Sequence, residues 1–390
     1  MWYRLDELFD LQMGKTPSRS NGKYWNCGDN KWISIRDLTP SQKYVSETKE
    51  SISNDAVIES GIKVVPANTV VMSFKLSIGK VAITKECMYS NEAVMAFLDK
   101  HTTELLPEYI YYLFRYRDWG EGINKAVMGK TLNKATLSKI KIDICPIQKQ
   151  KDIVKLLDKV SYILTNRKNQ ILTLENLIKS RFVEMFGDPV SNPFRWDKVL
   201  MNECLENIDN GKSFVCDTVA RVGEHPAILK LSAVTYGIYK PEENKRIISE
   251  SDFVENAEVR EGDLLFTRKN TPELVGMAAY VASTPPKLMM PDLIFRLNTK
   301  NNCNKVFLWQ LINHDLFRKQ IQSIASGSAK SMSNISKERL GKFSIYLPPI
   351  ELQNQFAAFV HQIDKLKVEV QKSLNETQTL FDCLMQKYFG

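Results

Sequence analysis

The stretch Ile144-Cys145-Pro146-Ile147-Gln148-Lys149-Gln150, which runs without a further proline to Met185-Phe186-Gly187, occurs twice in this chain. Its second copy is Leu347-Pro348-Pro349-Ile350-Glu351-Leu352-Gln353, closing at Tyr388-Phe389-Gly390. An offset of 203 positions carries Pro146 to Pro349, Gln150 to Gln353, Leu177 to Leu380 and Phe186 to Phe389. Leu174 falls on Thr377, so the copies have diverged. Proline ahead of a long proline-free pattern marks a helix start, where a missing N–H costs little. Leu157, Leu164, Ile171, Ile178 and Met185 recur every seven residues in the first copy, with Val160 and Leu174 between them and Arg167 and Arg181 interrupting that second row. Val360, Leu374, Phe381 and Tyr388 do so in the second, around a break at Lys367, with Ile363, Val370 and Leu384 between. Two apolar rows over five heptads predict a coiled-coil seam. A helix from Gln148 to Phe186 would reach roughly 58 Å, and its stripe needs a partner. The simplest partner is the other copy, antiparallel, which would bring Gly390 near Met1 and give an approximate internal two-fold axis.

The segments ahead of each helix repeat as well. Val64 to Phe74 reads as a turn feeding a buried strand, Lys80 to Thr84 as another strand, and Glu108 to Trp119 as an aromatic-rich helix. Val259 to Thr267, Gly276 to Val281 and Val306 to Phe317 repeat that order. The opening Trp2 … Gly14-Lys15 recurs as Trp196 … Gly211-Lys212. The offset drifts along the chain, which places insertions in loops. Four segments follow: 1–144 and 193–346 as globular domains, 145–192 as a long helix with its link, and 347–390 as a second long helix.

The 390 residues suit two domains with cores of their own. A hydrophobic share of 43% with 25% charged residues is that of a soluble globular chain, and no apolar run is long enough to span a membrane. Seven scattered cysteines form no Cys-x-x-Cys pair, which argues against a zinc site or a disulfide framework and for a cytoplasmic setting. The net charge of +8 is compatible with an anionic partner, but the basic residues form no tail. Any nucleic-acid surface must therefore be gathered by folding. Neither Gly-Lys-Thr triplet is a phosphate loop, because the glycine required five positions before the triplet's own glycine is Phe9 in one and Asn124 in the other. Asn192-Pro193-Phe194 lacks the second proline of an amino-methyltransferase motif and reads as link. His101, His225, His314 and His361 have no metal-ligand spacing.

The chain resembles specificity subunits of Type I restriction-modification systems over nearly its whole length. The resemblance rests on Gly14-Lys15-Thr16-Pro17-Ser18 with Tyr24-Trp25 and Trp32-Ile33, on the runs Ile140–Pro146 and Phe343–Pro349, and on the link Phe186-Gly187-Asp188-Pro189-Val190-Ser191-Asn192-Pro193. Cys145-Pro146 stands where the family has a double proline. The resemblance implies an α+β fold with two target-recognition domains separated by two long antiparallel helices. It also implies a non-catalytic subunit that reads a split, asymmetric site in double-stranded DNA. Methyltransferase subunits, two of them, would dock on it and carry the S-adenosylmethionine, with restriction-translocase subunits joining that assembly. No cofactor or metal is expected in this chain. An alternative is a coiled-coil scaffold whose globular halves bind proteins, and another is a self-sufficient methyltransferase or nuclease.

On the DNA reading, the loop with Lys75, Ser77 and Lys80 and its counterpart with Arg268, Lys269 and Asn270 are candidate contacts. Arginine pairs bidentately with guanine and asparagine with adenine. Lys130 and Asn133, matched by Lys330 and Asn334, follow small residues that let a backbone approach phosphate, and Lys15 and Lys212 open the two domains. Tyr24, Trp25 and Trp32 could stack on bases but read more naturally as core. If the helices act as a ruler, four residues inserted in register into both add ~6 Å, a little over one ~5.4 Å turn, and lengthen the unread gap by about one to two base pairs. Methylation assays on sites of varied gap measure this, and an unchanged gap refutes the ruler.

Overall fold

The computed structural model describes residues 1–39, 42–75, 77–119, 132–326 and 332–390. It divides into two compact units: Met1–Lys168 with Lys372–Gly390, and Asn169–Gln371. The long helices run from Ile147 to Phe186 and from Ile350 to Phe389, so each is shared between the units.

The first unit is built on a five-stranded sheet ordered Phe9–Met13, Val94–Asp99, Val70–Ser73, Val81–Thr84, Tyr44–Val45. The first four are antiparallel and the last pairs in parallel. A second, three-stranded sheet is ordered Glu50–Ile52, Trp25–Ile33, Tyr89–Ser90. Successive strand residues point to opposite faces. Val70, Met72, Ile83, Met95 and Phe97 enter one core with the helix Pro107–Tyr116, while Val71, Ala82, Val94 and Ala96 enter another with Ile33 and Val65. Both faces are covered, which is why Val70-Val71-Met72 reads as an unbroken apolar run.

The second unit repeats this plan. Its sheet runs Leu205–Asn210, Ile294–Thr299, Leu264–Thr267, Ala278–Tyr280, and a three-stranded sheet of Asn244–Arg246, Ala227–Leu229 and Leu288–Met289 matches the first unit's smaller one. Leu264 and Phe266 face one core and Leu265 the other. The expected single helix from Val306 to Phe317 is instead two, Lys305–Asn313 and Asp315–Ser323, joined at an extended His314. Trp2 also proves to have a different counterpart. Trp2 pairs with Asp143 and Lys198 with Tyr346, so Lys198 occupies the matching register. Trp196 belongs to the link, where its indole Nε1–H donates to the Phe186 carbonyl at 2.9 Å.

Within each unit the long helices pair antiparallel. In the first, Leu157, Val160 and Leu164 share a core with Phe381 and Met385. In the second, Phe182 and Phe186 meet Phe356 with ring centroids 5.5 and 5.4 Å apart, while Glu175 meets Lys367 at 3.4 Å. That ion pair explains the break in the heptad row. The heptad reading puts Met185 at the seam, but Phe182 and Phe186 are buried and Met185 is only half-buried. At this end the helix packs on the globular body, with Phe182 stacked on Phe307, so its stripe follows spacings of four. Gly187, at φ +77°, ends the first helix; a Cβ there would lie 2.6 Å from Pro193. Gly390 lies beside Trp2 and Tyr109, as the pairing required.

Each long helix is tied down by one glutamine of its first turn. Gln150 accepts from the Leu106 N–H at 3.0 Å and donates to the carbonyls of Glu104 and Cys145 at 3.0 and 2.9 Å. Gln353 accepts from the Asn304 N–H at 2.8 Å and donates to Asn302 and Pro348 at 3.1 and 2.7 Å. Both side chains are wholly buried. Truncation to alanine strands three buried backbone groups in each case. Gln150→Ala and Gln353→Ala should each cost about 1–3 kcal/mol in urea unfolding, whereas the exposed Gln355→Ala should stay within about 0.5 kcal/mol. Equal effects at Gln353 and Gln355 would sink this account.

Candidate nucleic-acid interface

In the second unit the strand Leu264–Thr267 ends on a fully buried threonine. The Thr267 hydroxyl accepts from Met277 N–H at 2.9 Å and lies 3.3 Å from the Leu274 carbonyl, closing the loop between them. Arg318 braces the same loop, donating to the Gly276 and Val275 carbonyls at 2.6 and 2.7 Å; burial pushes this guanidinium below its ordinary pKa. Gly276 has φ +74°, and a Cβ there would lie 2.4 Å from Ile321. The first unit builds the same knot from Ser73, which accepts from Lys80 N–H at 3.0 Å and donates to the Ser77 carbonyl, with Gly79 at φ +85°.

These knots deliver candidate residues to one end of each sheet. In the second unit Arg268 N–H bonds Leu293, Gly211 N–H bonds Ile294 and Lys212 N–H bonds Met290, so two distant segments flank one strand. Lys269 and Asn270 pair with Asn334 and Ser333 in a short ladder. In the first unit Phe74 bonds Ala93, Gly14 bonds Val94, Lys15 bonds Ser90, and Leu132 reaches Phe74. Here the sequence-distant candidates do converge.

Their side chains divide by surroundings. Arg268 is half-buried, with its guanidinium carbon 5.0 Å from the Phe295 ring and Nη2 3.5 Å from Asn334 Oδ1. Lys337, which the sequence reading missed, places Nζ 5.9 Å from the same ring. It follows the helix cap Ser336, a signal visible in sequence but carrying no hint of Arg268 beside it. Lys269 lies 3.7 Å from Asp292. Lys212 is exposed, and Lys75 and Lys80 are half-buried, with the Lys75 ammonium 5.3 Å from Phe74. Ser77 is exposed, although its carbonyl is used by Ser73.

Three candidates have structural work instead. Asn270 is buried, donating to Thr235 Oγ1 at 3.1 Å and accepting from Thr271 N–H at 2.8 Å, so its amide is not presented to an adenine. Asn133 caps the helix Lys134–Ser138 through Thr136 N–H. The Lys15 ammonium donates to the Ser60 carbonyl. Lys130 and Lys330 lie outside the described residues. The glycines before Lys15 and Lys212 serve a backbone crossing: a Cβ on Gly14 or Gly211 would sit 2.0 Å from the Ser90 or Pro291 carbonyl oxygen. Trp32 is core, meeting Trp25 edge-on at 4.9 Å, with Arg19 3.6 Å from the Trp25 ring. Among the described residues no histidine, cysteine or carboxylate cluster could hold a metal, and no helix is long and apolar enough to cross a membrane.

Two repeated α+β units, each closed by a pair of helix halves and gathering cationic loops at a sheet end, define a duplicated-module architecture. The model of the Type I restriction modification DNA specificity domain matches residues 1–174 and again 205–378, and the chain belongs to that family. It is 27% identical over 207 residues to the Type I restriction enzyme MjaIX specificity subunit of Methanocaldococcus jannaschii, covering 52% of this chain and 47% of that one. Against the EcoEI specificity subunit of Escherichia coli it is 28% identical over 202 residues, covering 50% and 34%. The match thus spans less than half the length of either relative. The fold is similar to the crystal structure of the S subunit from M. genitalium, with TM-score 0.59, 14% identity, and coverage of 100% of this chain and 96% of that one. A chain from a study of complex assembly and conformational transition in the type I R-M system gives TM-score 0.59 at 15% identity, covering 100% and 97%.

The crossing at Gly211 is testable apart from DNA. Gly211→Ala should destabilise the second unit by about 1–3 kcal/mol, since the new carbon overlaps a carbonyl. Lys212→Ala should leave unfolding within about 0.5 kcal/mol. A Gly211→Ala protein that melts like its parent removes the crossing as the reason for the glycine.

Proposed function

We propose that this chain is the DNA-reading, non-catalytic subunit of a Type I restriction-modification assembly in the cytoplasm. Each unit reads one part of a split, asymmetric duplex site, and the long helices set the unread gap. Two methyltransferase subunits dock on the chain and supply S-adenosylmethionine, and restriction-translocase subunits join them. The observation that carries this reading is the convergence of Arg268, Lys269, Asn334 and Lys337 at one sheet end in a chain of the DNA specificity family. Arg268 is suited to a guanine edge because the guanidinium fork is held over Phe295 and only partly enclosed. Lys212 and Lys337 are suited to phosphates, which orient a reader without specifying sequence.

Methylome sequencing of a host expressing the chain with its methyltransferase partner would identify the site. On that duplex, Arg268→Ala should weaken binding by about 1–3 kcal/mol and relax specificity at one position. Lys337→Ala should weaken binding to all sequences and reduce the salt slope by about one. Binding that ignores salt, or label transferred to DNA by the chain alone, would overturn the proposal. The first result would favour a protein-binding scaffold.

A further inference from the structure

Asn270, closed off from an adenine, ties a second piece of chain to the sheet end that carries Arg268 and Lys269. Its Nδ2 donates to the Thr235 hydroxyl at 3.1 Å, and that hydroxyl donates in turn to the Leu231 carbonyl at 2.7 Å. The turn from Leu231 to Lys240 is held along its length. Gly237 N–H bonds the Val234 carbonyl at 3.1 Å and Lys240 N–H the Ala233 carbonyl at 3.0 Å, while the Trp309 indole donates to the Gly237 carbonyl at 2.9 Å. Gly237 has φ +77°, and a Cβ there would lie 3.2 Å from the Met277 side chain. The Met277 carbonyl accepts from Thr267 N–H, so the turn touches both Asn270 and the knot that closes the loop.

Two apolar side chains on this stiff turn are left uncovered. Tyr236 is 62% exposed and Ile238 52%, on either side of Gly237. Nearby aromatics are spent on packing: Phe266 and Phe295 are buried, and Trp309 stacks on Tyr280. Turns favour glycine, proline, asparagine, aspartate and serine; an outward tyrosine and isoleucine leave apolar area in water that contact with a partner would remove. The Lys240 ammonium lies 5.7 Å from the Tyr236 ring, which places a cation against the apolar tip. Duplex DNA offers one group that matches such a tip, the 5-methyl of thymine, which lies in the major groove within reach of phosphates. We infer that Tyr236, with Ile238 beside it, reads a thymine methyl in the part of the site that the second unit faces, and that Lys240 takes a neighbouring phosphate. Arg268 is suited to hydrogen-bonding edges, whereas Tyr236 supplies the apolar half of the readout. This inference rests on the DNA-reading function proposed above.

The test uses the chain with its methyltransferase partner on the duplex that methylome sequencing identifies. Each thymine is replaced in turn by deoxyuridine, which removes only the 5-methyl group. At one position the replacement should weaken binding about fourfold, the worth of one buried methyl group. At that position Tyr236→Ala should bind the thymine and uracil duplexes alike, and Tyr236→Phe should still discriminate, because the ring makes the contact. The side chain is exposed, so neither variant should move the unfolding midpoint. If no thymine responds in the parent, or if Tyr236→Ala discriminates at every position as the parent does, the inference is overturned while DNA reading stands. A parent complex without salt-dependent binding overturns the proposed function itself, and the inference with it. Tyr236→Ala that binds DNA as the parent does but no longer retains the methyltransferase in sedimentation would overturn the inference in favour of a protein contact.

Discussion

A single buried amide at the start of each long helix holds the architecture together. An amide side chain offers an acceptor and two N–H donors, and Gln150 and Gln353 each find three backbone partners inside the protein. The acceptor takes the N–H that precedes a short core helix, and the donors take carbonyls from the approaching loop and from the residue two positions before the long helix. Two helix starts and a loop are thereby fixed to one another in a place that excludes water. A side chain of any other shape would leave backbone groups stranded there. The long helix then has a defined direction over the core that it covers.

That cover matters because the main sheets are apolar on both faces. Val70 and Met72 pack toward helices while Val71 packs toward the smaller sheet, and Leu264, Phe266 and Leu265 do the same in the second unit. With both faces consumed by packing, the sheet ends are left to present side chains outward. The loops there are not loose: Ser73 and Thr267 close them with buried hydroxyls, and Arg318 braces one of them. Arg318 and Arg268 show how burial assigns roles to the same residue type. Arg318 spends its donors on two carbonyls of the fold, whereas Arg268 rests on an aromatic ring with its fork partly exposed.

Much of this was legible in the order of residues. The offset of 203 positions predicted the two long helices to within a residue, and buried positions follow it, as Leu157 and Val360 or Ile178 and Phe381 show. The Gly-Lys pairs were found by the same repetition, but their reason was not. Only the tertiary fold brings the Ser90 and Pro291 carbonyls to 2.0 Å from a would-be Cβ. Met185 and Trp196 were misplaced because a periodic or spacing argument assumes one neighbour throughout, and the helix end changes neighbours from helix to globular body.

Helix extent, strand runs and the twofold repetition of the module were set by the chain itself, since periodicity and proline placement act over a few residues. The standing of each candidate side chain was decided only by tertiary packing. Asn270 resembles an adenine reader in sequence and is sealed by Thr235, 35 positions away; Lys337 looks like an ordinary helix residue and comes to share a ring with Arg268. Burial and charge pairing depend on partners brought in from distant segments, and no local pattern encodes which partners those will be.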